Sequence, residues 1–182
     1  MRGDGAGRRM PASMNPPLRP TGLAALCATF GNPGNFLEDK ARWEALTLTR
    51  VPLVTPLRYA YPHPVTGAPQ MVSTVWAHHL IARRLVDTLQ ACLDAGVPHD
   101  RLVYGGCYTW RAQRGGTKLS THAWGIAVDL DPVHNPLGAE WKDDGVMLHP
   151  GIIHTWQQMG WFWGGAFHRR LDPQHMQWVT GY

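Results

Sequence analysis

No apolar run in the 182-residue chain approaches the roughly 18 residues of a membrane span, so integral membrane association is not expected. Cysteine is scarce. Cys27, Cys92 and Cys107 are scattered and show no Cys-x-x-Cys spacing, which argues against a disulfide scaffold and against a structural zinc knot. Charge is thin, at 16% of residues, and unevenly placed. Arg2, Arg8, Arg9 and Arg19 against Asp4 put most of the net +4 into the first 20 residues. The nearly neutral remainder offers no groove for a nucleic acid, and no such partner is expected. Internal repeats are lacking too. The apolar stretch Leu23–Phe30 is short, follows Pro11, Pro16, Pro17 and Pro20, and precedes no Ala-x-Ala site. A signal peptide is therefore not expected.

What remains is a chain with 44% hydrophobic residues and a length suited to one ordinary domain. It is rich in glycine (20), proline (15), histidine (10) and tryptophan (9). Residues 1–34, Pro- and Gly-rich and basic at their start, are expected to form a flexible arm, with residues 35–182 as the folded domain. Asn35, with Glu38 three positions on, is expected to cap a short helix whose apolar side uses Trp43 and Leu46. Arg50–Tyr61 reads as an extended edge segment broken by Pro52 and Pro56. A long helix is expected from Val75 to Ala95, with Trp76, Leu80, Leu85, Leu89 and Leu93 at helical spacing and Gly96 and Pro98 to stop it. Strands are expected over Arg101–Trp110, Gly125–Asp131 and His175–Thr180, and a helix over Pro150–Met159. Short strands among separate helices predict a small α+β domain.

Two segments carry chemistry. The first is Ser120-x-His122-x-x-Gly125-x-Ala127-x-Asp129, in which an imidazole stands in a turn before an apolar strand. Ala127 and Asp129 share a strand face, so a small residue leaves room beside a carboxylate, and that carboxylate needs a cationic partner in such apolar company. The second runs from Gly160-Trp161-x-Trp163-Gly164-Gly165 to Asp172-Pro173-x-His175-x-Gln177. Together they supply two imidazoles and a carboxylate, a His₂Asp set suited to one catalytic zinc with an open position for water. Asp172 would stand near that water without binding the metal.

At these motifs, and with Asn135-Pro136 between them, the chain resembles the VanY-like zinc D-Ala-D-Ala carboxypeptidases and L-alanyl-D-glutamate endopeptidases, phage endolysins among them. The resemblance covers residues 104–178 and leaves residues 1–50 without a specific match. It implies the hedgehog/DD-peptidase type of fold, a small antiparallel sheet with flanking helices. It implies zinc ligands His122, Asp129 and His175, with one Zn²⁺ per chain, and Asp172 as general base, where some relatives carry Glu. It further implies that Arg111 binds a substrate carboxylate or a polarised carbonyl. Relatives place that arginine in Gly-Tyr-Arg or Gly-Phe-Arg, whereas this chain reads Tyr108-Thr-Trp-Arg111, so Arg114 competes for the role. Ser120, His168 and Trp163 are the remaining candidates for the substrate side.

The function expected is hydrolysis of peptidoglycan stem peptides, with an endolysin-type L-Ala-D-Glu endopeptidase ahead of a D-Ala-D-Ala carboxypeptidase. The expected setting is cytoplasmic synthesis of a monomer that reaches the wall on phage or prophage lysis. A non-catalytic wall-binding or virion protein on the same fold would have lost a ligand or the base, and all four residues are present.

Overall fold

A computed structural model describes residues 16–182. Within them the chain is α+β, as expected, with four helices and two small antiparallel sheets. Arg2, Arg8 and Arg9 of the expected arm lie outside the described residues. Its second half is not an arm. Gly22–Phe30 is a helix (α1) that buries Leu26 and Phe30 in the core. The second helix, α2 (Lys40–Thr47), is capped by Asp39, whose carboxylate accepts the Arg42 N–H, so the Asn35 capping box is not formed. Asn32 instead starts a 3₁₀ turn over Pro33–Phe36.

The first sheet pairs β1 (Leu48–Arg58) with β2 (Met71–His78). A two-stranded sheet has only edges, which is where Pro52 and Pro56 are tolerated, and the register slips between Pro52 and Leu57. Here the expected long helix fails. Val75 and Ala77 are buried while Trp76 between them is not, a period of two that belongs to a strand. The helix, α3, starts only at Ala82 and ends at Asp94. Leu85, Val86, Leu89 and Cys92 form its buried stripe against β1, β2 and α4 (Pro150–Gln158). Trp76 and Leu80 fall on helical spacing with that stripe by coincidence.

The second sheet has the order β3-β4-β6-β5, from β3 (Tyr104–Gly106), β4 (Ala127–Leu130), β5 (Phe162–Trp163) and β6 (His175–Gln177), with every pairing antiparallel. Its strands are shorter than the expected ones, and β5 arises where no strand is expected. Val128 and Leu130 of β4 point into the core with Met176 of β6, fully buried. Asp129 and His175 stand directly opposite each other on the other face. The α4 helix matches expectation, with Pro150 in its first turn and His149 as its cap.

Candidate metal centre

The site is built on two tight turns and one strand pair. Ser120 opens a 3₁₀ turn over Thr121–Trp124 by accepting the His122 N–H on its hydroxyl. Gly125 closes it at φ +68, in the left-handed region, and its N–H donates to the His122 carbonyl at 3.0 Å. A side chain is excluded there on a second ground, since a Cβ would stand 2.8 Å from Leu48 and 2.9 Å from the His78 nitrogen. The chain then enters β4, which carries Asp129. A second turn delivers His175: its N–H donates to the Asp172 carbonyl, and the Asp172 N–H donates to the Gly164 carbonyl at 2.9 Å. Gly164 admits no Cβ, which would lie 2.5 Å from the Asp172 carbonyl oxygen.

These supports bring His122, Asp129 and His175 together, with their ligand atoms all within 4.8 Å of one another. His122 Nε2 lies 3.2 Å, and His175 Nδ1 3.0 Å, from the same oxygen, Asp129 Oδ1. Both imidazoles are buried. The outer nitrogen of each meets an oxygen: His122 Nδ1 bonds the Cys107 carbonyl, and His175 Nε2 lies 3.1 Å from Gln177 Oε1 and 3.3 Å from the Thr121 hydroxyl. Gln177 donates its own amide N–H to the Val179 carbonyl, which fixes which end of the amide faces the ring. With their protons on the outer nitrogens, both rings would turn bare lone pairs toward one carboxylate oxygen. Such a trio repels itself unless a cation or a shared proton lies between the atoms. Two such imidazoles and a carboxylate suit a divalent ion of borderline softness, so the donor set fits zinc.

Electrostatics agree. Burial alone would raise the Asp129 carboxyl, but the charges and hydrogen bonds of His122 and His175 hold it well below the usual carboxylate range. Burial works against a charged His175, and its hydrogen bond and charge interaction with Asp129 reverse this, so its net shift is upward. Asp172 is pushed up, chiefly by burial, with His175 opposing and Asp129 adding to the rise. Its Oδ1 accepts from Gln174 Nε2 at 3.1 Å.

The other candidates take different places. Arg111 is half-buried and Arg114 is exposed, at the root and on the arm of a hairpin pinned by the Ala112–Leu119 bridge. Ser120 acts as the turn's cap, and its N–H donates to the Arg111 carbonyl at 3.0 Å. Trp163 donates its indole N–H to the Pro173 carbonyl at 2.8 Å and so braces the turn that carries Asp172. His168 is exposed, and among the described residues it forms no hydrogen bond to the ligand trio. Sequence reading missed the Cys107 carbonyl, a backbone group with no residue signature. It also assigned no role to Gln177, although the His175-x-Gln177 spacing places the two on one strand face.

Residues 114–178 match the family model described as D-alanyl-D-alanine carboxypeptidase. The matched segment spans both motifs and just over a third of the chain. No curated protein and no solved structure matches this chain. At the level of that family, the match supports a peptidase that acts on peptidoglycan.

Proposed function

We propose that the protein is a zinc-dependent peptidase of peptidoglycan stem peptides, with His122, Asp129 and His175 as metal ligands and Asp172 as general base. The observation that carries this reading is the approach of His122 Nε2 and His175 Nδ1 to one Asp129 oxygen, each ring held from behind by an acceptor. Zinc in a three-ligand site supplies Lewis acidity and makes water a nucleophile near neutral pH. Asp172 accepts the proton of the attacking water and passes it to the leaving amine, a role suited to a carboxyl that burial has raised. Arg111 or Arg114 neutralises negative charge on the substrate.

We infer cleavage of the L-Ala-D-Glu bond first. The second reading is removal of terminal D-Ala, which the description of the matching family favours. Both substrates carry a free α-carboxylate on the residue that follows the scissile bond. Digestion of purified sacculi, with mass spectrometry of the products, separates them. A new amino group on D-Glu identifies the endopeptidase, and loss of D-Ala alone identifies the carboxypeptidase. Either product should vanish with chelator and return with zinc. No chelator-sensitive product at all would overturn the proposal.

A further inference from the structure

We propose that Gln174 is a positioning residue for the general base: its buried side-chain amide holds one oxygen of Asp172 and leaves the other, Oδ2, to exchange a proton with water and the leaving amine. The inference rests on the peptidase reading above, with Asp172 as base, and adds the residue that aims it.

The main chain is fixed at each residue from Leu171 to His175. The Leu171 carbonyl accepts the Gly138 N–H at 2.7 Å, and the Asp172 N–H donates to the Gly164 carbonyl at 2.9 Å. The Asp172 carbonyl accepts the His175 N–H at 3.0 Å, and the Pro173 carbonyl accepts the Trp163 indole N–H at 2.8 Å. The Gln174 carbonyl accepts the Leu130 N–H at 2.9 Å, one residue beyond Asp129 on β4. With this frame locked, the freedom that remains to the Asp172 carboxyl is rotation about its own side-chain bonds. Gln174 takes up that freedom. It is 7% exposed, and its Nε2 donates to Asp172 Oδ1 at 3.1 Å. The amide nitrogen must face the carboxylate, because an ionised carboxylate only accepts.

The two carboxyl oxygens thereby become unequal. Among the described residues Oδ2 makes no hydrogen bond, and it is not sealed among the buried atoms that lack a partner. Oδ1 keeps the Gln174 N–H throughout. The proton taken from water therefore resides on Oδ2, and from Oδ2 it passes to the leaving amine. Aim matters here, since a misplacement of about 1 Å can cost about a hundredfold in rate. A polar side chain buried beside the site, with its amide spent on the base, is suited to hold that aim.

The test uses the zinc-loaded protein with a stem-type peptide and with sacculi. Gln174→Met keeps the length of the side chain and removes the donor, and Gln174→Leu is a second donor-free change. Each should lower kcat by about tenfold or more, with KM and zinc content close to wild type. In an Asp172→Ala background the same changes should lower the residual turnover by less than about twofold, because no carboxyl is left to aim. A second readout leaves Gln174 unchanged and so does not depend on how its variants fold. In the ¹⁵N-labelled zinc-loaded protein, the Gln174 side-chain amide proton should lie downfield of exposed glutamine amides and return toward them in Asp172→Ala. An equal loss in both backgrounds, a rise in KM with kcat unchanged, loss of zinc, or an amide proton at the exposed position overturns the assignment of Gln174. Normal turnover in Asp172→Ala overturns the base instead, and a zinc-loaded wild type that cuts neither the peptide nor sacculi overturns the peptidase reading itself.

Discussion

Asp172 is the residue on which the proposed chemistry turns. Its backbone is committed on both sides, to Gly164 and to His175, so its carboxyl can change without dismantling the ligand set. Asp172→Asn preserves shape and the contact with Gln174 but removes the base. Zinc content should stay at one per chain while turnover falls by about two to four orders of magnitude. Metal analysis alongside a peptidoglycan zymogram checks this, and normal turnover with normal zinc would refute the role. Asp172 is also where a short motif is most informative, because Asp172-Pro173-x-His175 closes a turn through its own backbone. The motif was legible from sequence for that reason: everything it needs lies within a few residues.

The two turns act as the precision elements of the site. The turn over Thr121–Trp124 depends on Gly125, and the turn before β6 depends on Gly164. Gly164→Ala would press a methyl group onto the Asp172 carbonyl oxygen and to 3.0 Å from His175 Cβ. The expected result is weaker zinc binding and loss of most activity, with a fall of about 1–3 kcal/mol in stability. Zinc titration and thermal melting of the variant measure both. Elements were less legible than motifs. Residues 75–95 read as one helix because Leu85, Leu89 and Leu93 set a strong helical period that Trp76 and Leu80 happen to continue. The strand signal in Met71–His78 lay in the burial of Val75 and Ala77, which only pairing with β1 reveals.

At the scale of the whole molecule, the metal turn is braced by chain far from it in sequence. Trp43 donates its indole N–H to the Ala123 carbonyl at 3.2 Å, and Trp124 donates to the Gly31 carbonyl at 2.8 Å. The His78 N–H donates to the Gly125 carbonyl, and the His78 ring bonds the Phe30 carbonyl at 3.1 Å. The N-terminal helices thus complete the site, although residues 1–50 carry no recognisable motif. Contacts spanning 80 or more residues leave no local spacing to read. This brace has a pH signature. Burial, the largest influence, and neighbouring His79 lower the His78 pKa from 6.5 to about 4. The unfolded chain therefore binds the proton first as pH falls. The contribution of neutral His78 is complete above pH 6.5, declines below it, and is lost by about pH 4. Between pH 6.5 and 5 the loss is about 2 kcal/mol. His78→Gln, which offers the Phe30 carbonyl a donor that does not titrate, should flatten this dependence relative to wild type in urea unfolding at pH 7 and pH 5. Equal pH slopes in the two proteins would refute it.

The two imidazoles are oriented by acceptors of different kinds, and they differ in their exposure to mutation. His122 leans on a main-chain oxygen, which every residue at position 107 would supply. His175 leans on two side chains, Gln177 and Thr121, each of which a substitution can change. One half of the ligand geometry is thus invariant to sequence drift and the other half is adjustable. Variants tuned toward looser metal binding or a different metal have an accessible route through positions 177 and 121, whereas at position 107 the accepting oxygen belongs to the main chain.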